Sequence, residues 1–189
     1  CSRRNKLGTL MTTHAMIDIE TLATSPEAVI LSVGGVKFDP YTNEEPHSFI
    51  DMKLDIDEQT ALSRDIDDGT MEWWAKQPKN IQDIAFAEEG RTKLTEFTKS
   101  LNKWLVGCDQ IWCQGPQFDM VIIENLYKML NTHTNWAYWQ IRDSRTVFSM
   151  MEVDPRKGVQ EDLHSAVDDA KWQAKCLQTC FFMLNIKKS

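Results

Sequence analysis

The sequence predicts a mixed α/β fold, one sheet with helices packed on it. Two observations lead there. Up to Leu54 the chain reads as three strands joined by short turns, an antiparallel meander. Beyond it, amphipathic helical spacing alternates with short apolar strands, the pattern of a sheet covered by helices. A chain of 189 residues, 42% of them hydrophobic, is enough to bury the core of one domain.

The elements follow in order. Residues 14–19 are a short apolar run ending at acids, a buried strand. Residues 28–38 (AVILSVGGVKF) are strongly apolar, and Gly34–Gly35 suggests a bend or bulge. Residues 48–54 alternate as a third strand. Residues 70–76 and 80–87 read as short helices. Residues 91–105 carry Leu94, Phe97, Leu101, Trp104 and Leu105 at helical spacing, and Gly107 ends that helix. Residues 110–113 are a short buried strand. The turn QGPQ then leads into an amphipathic helix over 119–130. Residues 136–141 are expected as a fifth strand, followed by a helix over 144–151, a loop, and a closing helix over 165–184. There are no repeats and no low-complexity segments.

The charge balance, 21 basic against 28 acidic residues, is −7. That argues against a basic-patch binder of polyphosphates. It leaves room for carboxylates that hold metals. The five cysteines (Cys1, Cys108, Cys113, Cys176, Cys180) are odd in number, as expected for free thiols in a reducing compartment. Cys176 and Cys180 lie one helical turn apart, but none of the histidines (His14, His47, His133, His164) completes a zinc set with them. The cysteines are expected as core packing. No apolar run is long enough to span a bilayer. The polar start of the chain is not expected to be a signal peptide. Residues 1–11 are expected as a flexible or non-native segment, with Met11 a natural start, and residues 12–189 as a single domain.

Three blocks carry chemistry. In MIDIET, Asp18 and Glu20 are two apart on a strand, so both point to one face. A divalent cation would turn their repulsion into coordination. A solvated strand end explains the same pair, and DxE alone is common by chance. Asp119 opens a helix, where its dipole already favours an acid. Ile122, Ile123, Leu126 and Leu130 share its stripe, so Asp119 points toward the sheet. In the last helix Asp169 shares a face with Ala166, Gln173, Cys176, Leu177, Cys180 and Leu184. Asp168 aligns instead with Lys171 and Lys175 and is expected as a surface acid paired with lysine. His164 lies five residues ahead of Asp169, a loop histidine within reach of general-base chemistry.

MIDIET, then GPQFD, then HSAVDDA resembles the three motifs of the DEDD exonuclease superfamily, histidine branch, with His164 to Asp169 matching H-x-A-x-x-D. A narrower resemblance comes from IETLATSPEAVILSVGGVKFDP and TMEWWAKQ. These look like the phage and prophage exonuclease VIII group and the exonuclease A of tailed phages. The resemblance spans about residues 14 to 184 and all five positions agree. It implies a ribonuclease-H-like fold, a five-stranded mixed sheet flanked by helices, and a single exonuclease domain over 12–189. It implies 3′→5′ removal of mononucleotides from single-stranded 3′ ends, DNA before RNA, by two-metal phosphodiester hydrolysis. Magnesium is the expected ion and manganese a substitute. Asp18, Glu20, Asp119 and Asp169 would be the metal ligands and His164 the general base. Thr21 and Leu22 would meet the terminal nucleotide. Of Trp73 and Trp74, one is expected as a core plug, and the other is left open for stacking on a base. The implied setting is phage or bacterial host cytoplasm. A homodimer is compatible with the sequence. The rival reading is a binding module that has kept the fold and lost catalysis, against which the complete acid set and His164 argue. A metal-buffering or structural protein ranks below both.

Among other candidates, Trp104, Trp112 and Trp172 fall at apolar positions and are expected in the core. Trp136 and Trp139 flank Tyr138 in a strand or loop, where they could line a groove. There is no phosphate-binding loop and no nucleophile elbow.

Overall fold

The computed structural model describes residues 12–157 and 165–188. Strands β1 (His14–Thr21), β2 (Ile30–Phe38), β3 (His47–Lys53), β4 (Gln110–Cys113) and β5 (Ile141–Asp143) form one sheet in the order β3-β2-β1-β4-β5. The first three pair antiparallel, and β4 and β5 add in parallel. This is the five-stranded mixed sheet of the ribonuclease-H-like fold. The helices are α1 (Ile56–Ala61), α2 (Asp68–Ala75), α3 (Lys79–Phe86), α4 (Leu94–Leu105), α5 (Asp119–Met129), α6 (Ser144–Phe148) and α7 (Ala166–Met183).

Strand alternation sorts β1 between two cores. Ala15, Ile17 and Ile19 face Leu94, Phe97 and Leu101 of α4 and Ile122, Ile123 and Leu126 of α5. Met16 joins Val36, Phe38 and Trp112 against Ala170, Ala174, Leu177 and Phe181 of α7. Asp18 and Glu20 continue the Met16 row, so the strand period alone carries them to the side covered by α7. A smaller cluster packs Leu22, Val29 and Leu31 against Trp74 and Ile81.

The double glycine has two uses. Pairing of β2 with β3 is irregular between Gly35 and Lys37, in line with the expected bulge. Gly34, paired with Asp18 across the ladder, lies directly beneath the start of α7. A Cβ there would come within 2.0 Å of the Val167 amide nitrogen and 2.1 Å of the Ala166 carbonyl carbon. Only hydrogen at that position lets the helix rest on the strand.

Several expected elements change. The stretch 136–141 is not a strand. Tyr138–Gln140 form one turn of 3₁₀ helix, and β5 begins only at Ile141. The Gln140 side chain accepts from the Ala137 amide at 2.9 Å and donates to the Cys108 carbonyl at 3.0 Å, which closes the turn. Trp136 is buried, with its indole N–H donating to Glu124. The helix expected from residue 91 starts at Leu94, because Thr92 bridges to Leu54 and Arg91 donates to the Leu54 carbonyl. The helix expected over 144–151 ends at Phe148. Helix α1 has no periodic signal in the sequence. It lacks an apolar stripe, and its buried residue, Gln59, instead bonds both backbone polar groups of Ile30. Cys108, Cys113, Cys176 and Cys180 are free and buried, as expected of core packing. Among the described residues, no helix is long and apolar enough to cross a membrane.

Candidate active site

Three acids converge from the two ends of the chain. One carboxylate oxygen from each of Asp18, Glu20 and Asp169 lies within 4.8 Å of the others. The first two are delivered by alternation on β1, and the third by the first turn of α7. The Gly34 contact brings that turn onto the sheet. Asp168, the next residue on α7, is exposed. Its expected pairing with lysine is not what Lys175 does, since Lys175 binds Glu45.

Asp119 is 5% exposed at the start of α5. The backbone amides of Asp119 itself and of Ile19, the residue between Asp18 and Glu20, favour its ionised form. It therefore stands beside the triad without entering it. Burial is the main force on Asp18, Glu20 and Asp119, and neighbouring carboxylates add to it. Asp18 is held well above the usual carboxylate range by burial, then by Asp119, against the hydrogen bond from Gln173. Burial, with Asp169 and Asp119 adding to it, raises Glu20 to about 7. Burial also raises Asp119 to about 7, against its two backbone amides and Arg145. A cluster this short of positive charge fits divalent cations, which would neutralise it and favour ionised oxygens.

Gln173 and Arg145 belong to the site and were not assigned to it from sequence. Gln173 Nε2 donates to Asp18 Oδ1 at 2.8 Å. Arg145 donates to the Gln114 carbonyl at 2.8 Å, and its guanidinium lies close to Gly115, whose φ is +125°. Gln173 did carry a signal, one helical turn beyond Asp169 on the same face.

Beside Glu20 lies a pocket of about 440 Å³, lined by Thr21, Thr70, Trp73 and Phe118 among others. Trp73 is 43% exposed and Trp74 is 1% exposed. Trp74 is the plug, its indole N–H donating to the Thr21 carbonyl at 2.9 Å. The Leu22 side chain is buried in the small cluster, and its backbone bonds Val29 and Asp67. Phe118 carries no sequence signal as a pocket wall, being only the residue before a helix. His164 lies outside the described residues.

The profile of the 3'-5' exoribonuclease Rv2179c-like domain matches residues 13–181. No curated protein sequence matches the chain. Among solved structures, cell-death related nuclease 4 (CRN-4) superposes with a TM-score of 0.60 at 18% identity, over 92% of this chain and 64% of that one. Exonuclease I gives 0.65 at 13% identity, over 92% of this chain and 43% of that one. The nuclease domain of 3'hExo, a DEDDh family member bound to rAMP, gives 0.58 at 11% identity, over 94% of each chain. The chain thus spans under two thirds of CRN-4 and under half of exonuclease I. These neighbours share the fold and the placement of a mixed sheet under helices. With the family profile spanning nearly the whole sequence, the chain belongs to the 3'-5' exoribonuclease Rv2179c-like domain family.

Proposed function

We propose that the protein is a metal-dependent 3′→5′ exonuclease that releases mononucleotides from single-stranded 3′ ends. The observation that carries this reading is the convergence of Asp18, Glu20 and Asp169 within 4.8 Å. Asp18, Glu20 and Asp169, with Asp119 directly or through water, would hold two divalent ions, magnesium in the cell and manganese as a substitute. When bound, those ions supply Lewis acidity to an attacking water and to the leaving 3′-oxygen.

The other parts follow from the chain itself. The motif resemblance assigns His164 the proton of the attacking water. Thr21, with its carbonyl fixed by Trp74, shapes the pocket wall nearest Glu20. Trp73 and Phe118 offer two aromatic walls there, suited to a terminal base, since every base has a face that stacks. Leu22 and Trp74 support this wall from the core.

For the strand, RNA is the first reading, supported by the description of the family whose profile covers residues 13–181. DNA is the second. It is supported by the resemblance of IETLATSPEAVILSVGGVKFDP and TMEWWAKQ to the phage exonuclease VIII and exonuclease A groups. A cytoplasmic setting in a phage-infected or bacterial cell goes with that second reading.

One experiment tests these points together. Single-stranded RNA, single-stranded DNA and duplex DNA, each 5′-labelled, are incubated with magnesium, with and without chelator. A one-nucleotide ladder that shortens from the 3′ end and vanishes with chelator is expected, faster on RNA. No ladder on any strand would refute the activity. A ladder on DNA alone would replace the first substrate by the second.

A further inference from the structure

We infer that Gln173 is a positioning residue for the acid cluster: it fixes the carboxylate plane of Asp18 relative to Asp169, at a cost to the metal-free fold. The inference rests on Asp18 being a metal ligand, as proposed above. Gln173 is 6% exposed and lies one turn beyond Asp169 on α7. Its Nε2 donates to Asp18 Oδ1 at 2.8 Å, across 155 positions of sequence. One side chain therefore links the helix that carries Asp169 to the strand that carries Asp18 and Glu20.

The other end of the same amide shows the cost. Gln173 Oε1 is buried and has no hydrogen-bond partner among the described residues. Turning the amide over would set Oε1 against a carboxylate oxygen and lose the donor. A buried acceptor without a partner destabilises a fold, and an apolar side chain of similar shape would avoid that penalty. Gln178, further along α7, is the contrast. It is also buried, but its Nε2 holds the Asp39 and Glu44 carbonyls of the loop after β2. Gln178 has a packing role in full. Gln173 has a good bond only toward the acids, as expected of a residue that orients a ligand.

Manganese binding to the full chain, measured by calorimetry without nucleic acid, tests this beside thermal melting in chelator. Gln173→Met should weaken manganese binding about 10- to 100-fold and melt in chelator at or above the wild-type temperature. Gln178→Leu should melt lower and bind manganese as wild type does. Gln173→Leu serves as a second variant should the methionine pack poorly. Wild-type affinity in both Gln173 variants would overturn the inference, and so would weaker binding that comes only with a lower melting temperature. If wild type and Asp18→Asn bind manganese equally, the metal reading itself falls, and this inference with it.

Discussion

Asp168 and Asp169 are adjacent, yet the helix turns one to solvent and the other to Asp18 and Glu20. The two substitutions should therefore separate cleanly. Asp169→Asn is expected to reduce nucleotide release to background while the melting temperature in chelator stays at or above the wild-type value, because a like charge leaves a crowded site. Asp168→Asn is expected to leave release unchanged and to move stability by about 0.5 kcal/mol or less. A release assay paired with melting curves checks both, and equal damage from the two would contradict the helix geometry. For His164, the general-base role predicts that His164→Ala slows release by about 10²–10⁴-fold and flattens its pH dependence, while manganese still binds. A mutant with the wild-type pH profile would remove His164 from the chemistry.

At the scale of elements, the contact that matters most is the start of α7 on Gly34. A methyl group there meets backbone atoms, which cannot swing away as a side-chain tip can. Gly34→Ala should push the helix off the strand. Overpacking of this kind costs about 1–3 kcal/mol, and Asp169 would move with the helix. Lower stability with weakened manganese binding is expected, read by melting and calorimetry. A fully active alanine variant would mean that the helix can approach by another route.

This contact also marks the limit of what the sequence reveals. The acids were legible because each obeys a local period. Asp18 and Glu20 follow the strand alternation, and Asp169 follows the helix face. The sheet was legible for the same reason, through its apolar runs. The Gln173–Asp18 bond and the Gly34 contact were not, because both depend on how α7 crosses the sheet, and no local spacing encodes that. The aromatic run at 136–141 misled in the other direction. Aromatic residues favour strands, but here Gln140 closes a turn and Trp136 turns into the core.

For the whole molecule, the stability profile with pH has an identifiable contributor at the opposite end of β1. His14 is 4% exposed and accepts the Trp112 indole N–H on Nδ1 at 2.9 Å. Burial depresses it to about 4, against the pull of Asp109 and Asp39 and with smaller help from Arg142 and Lys188. Between about 4 and 6.5 the unfolded chain takes up a proton there that the folded one refuses. His14 therefore contributes stability in full above 6.5, and that contribution is lost as pH falls toward 4. The linkage amounts to at most about 3 kcal/mol. Glu20 and Asp119, raised by burial, act in the opposite sense in the metal-free protein. The comparison is therefore made against His14→Gln, which leaves them in place and keeps an acceptor for Trp112. Denaturant unfolding at pH 7 and pH 4.5 should show wild type losing more than the variant. Parallel losses would show that His14 does not titrate this way.

Asp18 and Glu20 stand on β1 and Asp169 on α7, with the other four strands of the sheet between them in sequence. During synthesis, the residues of all five strands are joined while the third acid is still unmade. On the metal reading proposed above, a nascent chain has no complete cage until α7 has been made and has settled on Gly34.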